Sequence, residues 1–531
     1  MRKFIVALVL LSVTALFVSL RATAQPCEQL AQFALPHAHV TSAQMVAAGA
    51  FAAPSSDDDP SFFKQLPPFC RVTLNATPSA DSDIKVEVWM PAAAWNGKFR
   101  GQGNGGFAGD VDYHSLGLAV LQGYASAATD TGHSGQPVDA SWALGHPEKV
   151  IDFGYRAIHE MTTIGKATTK AFYGDAPKHS YFASCSNGGR QALMEAQRFP
   201  EDYDGIIAGA PANYWTHLVS SALWDAQATT LDPASYIPSG KLPAIAQGVL
   251  SACDARDGVK DGIVGDPPQC RFEPATMLCK NGDADSCLTQ PQITALKKLY
   301  QGAHDSKGKQ IFPGFVPGGE EGPGGWGLWI TGPAPGKGLL FAFNYGFFAN
   351  MVYEKADWDY KSAKLDDAVA AADKKLARVL NATDANLKPF TARGGKLILF
   401  HGWSDAAISP LNSIDYYESV VHTVGQQSAD SSLRLYMVPG MQHCAGGPGT
   451  DVFGQYAIAT ANDPRHNMSL ALEDWVENGT PPPTVIASKL NGQGPAAKVN
   501  LSRPLCAFPQ TARYKGAGDT TDAANFACQK Q

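Results

Sequence analysis

The chain has 531 residues, 44% of them apolar and 17% charged, which is enough for a large buried core and unlike a disordered polymer. Its formal charge of −7 lacks the basic excess of a nucleic-acid binder. Such a length suits roughly two to four domain-sized units, or one large domain carrying an insertion.

Arg2 and Lys3 precede an apolar run, Phe4 to Val18, and then Ala22-Thr23-Ala24. A charged start, a short apolar centre and a small-x-small end describe a secretory signal peptide over 1–24, cleaved after Ala24. The run is shorter than the roughly 20 residues that span a bilayer, and no later segment is long and apolar enough to do so. The expected product is therefore secreted or periplasmic, with no membrane association after cleavage. Cleavage removes Arg2, Lys3 and Arg21 and no acid, taking the charge from −7 to −10. All 10 cysteines survive it, an even set expected to pair in an oxidising compartment. Proximity suggests Cys253–Cys270, Cys279–Cys287 and Cys506–Cys528.

A Pro/Asp-rich stretch, Ala53 to Pro68, reads as a surface arm tied down by Cys27 and Cys70. Lys85 to Met90 alternates like a strand, and a Gly-rich turn follows at Gly101 to Gly109. Val150 to Tyr173 has helical spacing. Ser180 to Ala183 reads as a short strand, Gly188 to Phe199 as a helix, and Gly205 to Ala208 as another buried strand. Between 212 and 393 the character shifts to a cysteine-rich stretch, a Gly/Pro/Trp-rich stretch and a helix over Lys361 to Leu380. Strand signals return at Lys396 to Phe400 and Leu433 to Val438, before a helix over Met468 to Asn478. Strands alternating with helices imply an α/β sheet, with 25–211 and 394–531 forming one domain and 212–393 inserted between two of its strands.

Ser186 stands between a short apolar strand and a helix in Tyr181-Phe-Ala-Ser-Cys185-Ser186-Asn-Gly188-Gly189-Arg190. This is a nucleophile elbow, G-x-S-x-G, with Ser184 in the first Gly position. Small residues at 184 and 188 allow the sharp turn that lifts the Ser186 hydroxyl clear of the sheet. The Asn187 N–H at the helix start would face a developing oxyanion. The other reading is a Gly-rich strand–helix turn with an ordinary serine. A nucleophilic serine needs a base and the base an orienting carboxylate, following in the order serine, acid, histidine. Lys396 to Phe400 runs into His401-Gly-Trp-Ser-Asp405, and Leu433 to Val438 runs into Pro439-Gly-Met-Gln-His443-Cys444. Asp405 and His443 thus sit in strand-following loops.

Cys185 precedes Ser186 and Cys444 follows His443. A bond between them would hold their Cα atoms about 4.4–6.8 Å apart and bring the serine and histidine within reach. A second oxyanion donor is expected from the early turn Asn104-Gly105-Gly106-Phe107, at Gly105 or Gly106, because glycine lets a backbone N–H approach a ligand. That string lacks the lysine and spacing of a phosphate loop. In Cys253 to Ile263, acids stand at Asp254, Asp257 and Asp261, with the carbonyls of Val259 and Ile263 free to join them. Hard cations such as Ca²⁺ take such oxygens in a tight loop, although the pattern is not an EF-hand. A series of Asp-Gly turns is the competing reading. The role expected is structural.

The Cys185-Ser186-x-Gly-Gly-Arg, His401-Gly-Trp-Ser-Asp405 and His443-Cys444 motifs, the 253–263 loop and the order of cysteines together resemble the tannase and feruloyl esterase family of α/β-hydrolases. That family also includes mono(hydroxyethyl) terephthalate hydrolases. The resemblance extends from Cys27 to Cys528. It implies an α/β-hydrolase fold with a large inserted lid domain carrying Ca²⁺, no organic cofactor, and five disulfides including Cys27–Cys70. By matching position, His401 would line the substrate pocket and Asn187 would supply an oxyanion N–H. Ile408 stands where the terephthalate-ester enzyme has an aromatic, and no lid arginine matches a terminal carboxylate. Both departures leave aromatic plant esters ahead.

The expected activity is hydrolysis of feruloyl, hydroxycinnamoyl or galloyl esters by Ser186, His443 and Asp405, on a small aromatic ester substrate. Lid aromatics Trp326, Trp329, Phe343 and Phe347 would pack on the acid ring. Two other readings are a secreted serine carboxypeptidase and a catalytically silent calcium-dependent binding module.

Overall fold

The computed structural model describes residues 25–54, 59–456, 458–492 and 497–530. The expected signal peptide, 1–24, lies outside the described residues.

The centre is a nine-stranded mixed sheet. In chain order its strands are β1 (Ala38–Val46), β2 (Phe69–Ala76), β3 (Ile84–Pro91), β4 (Lys98–Gln102), β5 (Ala125–Thr129), β6 (His179–Cys185) and β7 (Gly205–Gly209). A small hairpin, β8 (Gly302–His304) and β9 (Gln310–Pro313), lies outside it, and β10 (Lys396–Gly402) and β11 (Leu433–Val438) complete it. The spatial order is β1-β2-β3-β5-β4-β6-β7-β10-β11. From β5 to β11 all neighbours are parallel, and β1, β2 and β3 form an antiparallel margin.

Burial follows that topology. β5 and β7 are buried throughout and β10 at all but its first residue, as expected where helices cover both faces. β1 is a half-exposed edge rich in Ser, Thr, Gln and His, a composition that gave no apolar alternation to read. The 59–68 part of the Ala53–Pro68 stretch is less of a surface arm than its composition implies. Phe63 and Leu66 are buried with Phe51, Phe69 and Trp89, because this face of the antiparallel margin needs an apolar cover.

β7 and β10 are hydrogen-bonded neighbours, yet 210–395 separates them in sequence. That stretch carries the helices Trp215–Thr230, Leu242–Cys253, Gln290–Gln301, Leu339–Gly346 and Leu365–Leu380. Ile237, Leu242, Ile245, Leu296, Leu299 and Trp326 give it a core of its own. A second cluster joins its Trp215, Phe347, Phe348 and Leu376 to Phe107 and Phe153 of the sheet-bearing part. The two parts are therefore packed together through aromatic side chains over the C-terminal ends of the strands.

Five disulfides are formed: Cys27–Cys70, Cys185–Cys444, Cys253–Cys270, Cys279–Cys287 and Cys506–Cys528. Among the described residues no helix is long and apolar enough to cross a membrane.

Candidate active site

Parallel strands end level with one another, and the loops that follow them meet at one place. Cys185 of β6 pairs in register with Gly209 of β7, and Gly402 of β10 with Val438 of β11. Ser186 follows its strand end directly, Asp405 comes three residues after Gly402, and His443 comes five residues after Val438.

Ser186 has φ 65° and ψ −124°, a left-handed conformation that L side chains adopt only when the surroundings enforce it. Its N–H donates to the Gly209 carbonyl at 2.9 Å, and helix Asn187–Arg198 starts at the next residue. The turn is so tight that a Cβ on Gly188 would lie 1.9 Å from Ser184 Oγ, and one on Gly189 would lie 2.3 Å from the Gly209 carbonyl. The glycines are required by this close approach.

His443 Nε2 lies 2.9 Å from Ser186 Oγ and His443 Nδ1 lies 2.7 Å from Asp405 Oδ2. A carboxylate can only accept, so Nδ1–H donates to Asp405 and Nε2 is left to accept the Ser186 proton. Asp405 Oδ1 accepts the N–H groups of Ala407 at 2.8 Å and Ile408 at 2.9 Å. Burial alone would raise the Asp405 pKa, but the imidazoles of His443 and His401 outweigh it and hold the carboxyl well below the usual range. The acid is thus ionised, buried and fully engaged.

His401 corrects the expectation that it lines the pocket. It is fully buried behind Asp405, with Nε2 3.1 Å from Asp405 Oδ2 and 3.2 Å from the Ile408 carbonyl. Both partners accept, so Nε2 carries the proton, and Nδ1 accepts from Ser413 Oγ at 2.7 Å. Its side chain is a support for the carboxylate, because the penultimate position of β10 turns it into the protein. Ile408, by contrast, does line the cavity.

The disulfide Cys185–Cys444 spans 259 residues of sequence with a Cα–Cα distance of 6.0 Å. It joins the residue before Ser186 to the residue after His443. Cys444 is itself left-handed at φ 64°.

A cavity of about 410 Å³ opens at Ser186, within the range of small-ligand pockets. Asn187, Gly105 and Gly106 line it beside the serine. Gly106 has φ 56°, and a Cβ there would lie 2.2 Å from the Pro137 carbonyl, whereas one on Gly105 would meet nothing within 4 Å. Trp215, Leu218, Val219, Trp329, Phe343 and Ile408 give the cavity an apolar wall. Trp329 stands edge-on to His443, with ring centroids 5.1 Å apart. Among the described residues lining it there is no lysine or arginine.

Two of the expected ring-packing aromatics are elsewhere. Trp326 and Phe347 are fully buried in the lid's own core and in the interface cluster, respectively. Trp329, at the other end of Trp326's helical turn, and Phe343, on the helix just before Phe347, take the cavity side. Sequence reasoning missed Trp215, Leu218 and Val219, although Trp215, Leu218, Val219 and Ala222 follow helical spacing. It also missed Gln191. That side chain accepts the Asn104 N–H at 3.1 Å and donates to Asn104 Oδ1 at 2.7 Å, fixing the glycine turn against the serine helix. Arg190 is fully buried on the same helix. It donates to Asn187 Oδ1 at 2.8 Å and to the carbonyls of Gly154 and Phe153 at 2.7 and 3.0 Å. Burial pulls its pKa down to about 9.

In the acidic loop, Asp254 accepts the N–H groups of Asp261 and Gly262, and Asp257 accepts that of Val259. Burial first, then the charges of Asp261 and Asp254, push the Asp257 carboxyl up to about 6. Arg503 supplies part of the compensation, 2.6 Å from Asp261 Oδ2. The carbonyls of Val259 and Ile263 accept no hydrogen bond among the described residues. An all-oxygen donor set with excess negative charge suits a hard cation.

The profile of the tannase and feruloyl esterase family matches residues 70–529. The chain belongs to this family of esterases. An uncharacterized esterase of Xanthomonas campestris is 43% identical over 527 residues, which is 94% of this chain and 91% of that protein. Among solved structures, feruloyl esterase B from Aspergillus oryzae superposes with a TM-score of 0.86 at 32% identity, covering 95% of this chain and 99% of that one. Tannin acyl hydrolase from Aspergillus niger superposes with a TM-score of 0.74 at 26% identity, covering 96% and 94%. This esterase therefore has the α/β-hydrolase fold and is a carboxylic ester hydrolase of the tannase and feruloyl esterase type. Membership of an esterase family displaces the carboxypeptidase and silent-module readings.

Proposed function

We propose that this esterase is exported and cleaves carboxylic esters of aromatic acids through an acyl-enzyme on Ser186. The observation that carries the reading is the Ser186–His443–Asp405 hydrogen-bond chain opening into an apolar, aromatic-walled cavity. Ser186 Oγ attacks the ester carbonyl while His443 Nε2 takes its proton. The oxyanion develops toward the N–H of Asn187 and that of Gly105 or Gly106. His443 returns the proton to the leaving alcohol, leaving the acid esterified to Ser186. Water, deprotonated by the same nitrogen, then releases the acid. Trp329 and Phe343 offer ring faces and edges to an aromatic acyl group, an arrangement worth about 0.5–1.5 kcal/mol per aromatic pair beyond area burial. The related proteins named for feruloyl esters and tannin point to hydroxycinnamoyl and galloyl acids. Export follows from the expected signal peptide and agrees with the five disulfides.

Methyl ferulate, methyl gallate and a terephthalate monoester discriminate within this class. Turnover of at least one of the first two is expected to exceed that of the terephthalate monoester by tenfold or more in kcat/KM, since among the described residues no lysine or arginine lines the cavity to meet a free carboxylate. A terephthalate monoester that matches or leads the panel would overturn the assignment.

We also propose that the 253–263 loop holds a structural Ca²⁺. The carboxylates of Asp254, Asp257 and Asp261 and the carbonyls of Val259 and Ile263 would be its ligands. The ion would supply charge compensation there and takes no part in hydrolysis. Chelation with EGTA is expected to lower the Tm and Ca²⁺ to restore it, by linkage of binding to folding. An unchanged Tm would remove the metal from this loop.

A further inference from the structure

Away from the hydrolytic centre, His159, Glu195 and Asp202 converge from three segments. His159 is on helix Ala157–Tyr173, Glu195 on helix Asn187–Arg198, and Asp202 in the turn after that helix. One nitrogen and two carboxylate oxygens, one from each residue, all lie within 4.8 Å of one another. His159 Nδ1 is 2.6 Å from Asp202 Oδ2. The imidazole is held in place by stacking on Phe199, with centroids 3.9 Å apart and planes at 9°.

Glu195 is the decisive member. It is 1% exposed, and neither carboxylate oxygen has a hydrogen-bond partner among the described residues. Burying such a group is costly unless something compensates it. Lys166 offsets that cost only through space, without a direct contact. Lys166 Nζ donates to the backbone carbonyl of Asp202, and Arg393 pairs with Asp204. Neither forms an ion pair with Glu195 or with the Asp202 side chain. Two carboxylates that face each other in a buried place must share either a proton or a cation. A shared proton would leave His159 bonded to Asp202 alone, whereas a cation would draw the imidazole nitrogen and both carboxylates into one ligand set. Access is available, since His159 and Asp202 are partly exposed.

We propose that His159, Glu195 and Asp202 form a site for a divalent transition-metal ion, with Zn²⁺ the best match. One neutral imidazole and two carboxylates with a water in the fourth position is a borderline N/O set, unlike the all-oxygen loop at 253–263. The ion ties the end of the nucleophile-bearing helix to the helix that packs beside it. Its role is structural, and His159 takes no part in hydrolysis.

The test uses the mature, tag-free enzyme stripped of transition metals and kept in saturating Ca²⁺. Titration calorimetry with ZnCl₂ is expected to find one Zn²⁺ per chain, accompanied by a rise in Tm. Co²⁺ in place of Zn²⁺ should give visible absorption bands of a low-coordinate site in the wild-type protein. His159→Ala and Asp202→Asn should each weaken Zn²⁺ binding at least tenfold, while His159→Ala without Zn²⁺ keeps wild-type ester turnover. Should His159→Ala fold poorly by circular dichroism, His159→Gln replaces it. No Zn²⁺ uptake by the wild-type enzyme, or uptake unchanged in these variants, overturns the proposal. So does a Glu195→Gln variant that is more stable than wild type and shows the same response to Zn²⁺, which would identify a shared proton.

Discussion

Ser186→Ala is expected to lower kcat/KM for a methyl hydroxycinnamate by about ten-thousand-fold to a million-fold, the range seen when a nucleophile of this kind is removed. The size follows from the geometry. Among the described residues Ser186 Oγ is the one hydroxyl hydrogen-bonded to His443 Nε2, at 2.9 Å, so no neighbouring hydroxyl inherits the role. Removing it leaves the oxyanion donors and the cavity, which retain residual catalysis over water. Substrate binding should change little, so the loss falls on kcat. Stability should change little, because a small side chain is deleted and the one bond lost is that of its hydroxyl to His443 Nε2. Fluorophosphonate labelling of the intact protein should vanish with the same substitution. A folded Ser186→Ala enzyme that keeps more than a few per cent of wild-type turnover would falsify the acyl-enzyme mechanism.

The second large effect concerns Cys185 and Cys444. Replacing both by alanine is expected to cost both stability and rate. The bridge closes a loop of 259 residues, for which the chain-entropy account gives roughly 5 kcal/mol. Rate should fall by about a hundredfold, since the bond sets the spacing between the residues next to Ser186 and His443 and displacements near 1 Å carry penalties of that order. Thermal unfolding and kcat on the same preparation separate the two. A double variant with a lowered Tm but unaltered kcat would show that the bridge clamps the fold without setting the catalytic distance.

Much of the Ser186–Asp405–His443 site was readable before any tertiary contact was known. The strand–turn–helix at Ser186 is local, written in small residues at 184, 188 and 189 and in an apolar strand before them. Asp405 and His443 each follow an apolar run of five or six residues, and buried parallel strands end where such runs end. The cysteines added long-range information that side-chain periodicity does not carry. Adjacent sequence positions on both sides of one bond specify a distance in space.

Other parts were not readable, for identifiable reasons. β1 alternates weakly because one edge of it faces solvent, so its polar residues carried no strand signal. The wall of the cavity comes partly from helix Trp215–Thr230, whose apolar stripe announced burial without naming what it would face.

By itself the sequence determined the α/β class, the chain order of Ser186, Asp405 and His443 in strand-following loops, the long stretch between two neighbouring sheet strands and the local disulfides. These depend on near neighbours along the chain or on composition. Only the tertiary structure decided that His401 supports Asp405 from behind, that Trp329 and Phe343 face the cavity while Trp326 and Phe347 are core, and that Glu195 meets His159 and Asp202. The physical reason is common to all three. Periodicity says that a side chain is buried, whereas its partner is set by which surface packs against it, and that surface is supplied by residues far away in the chain.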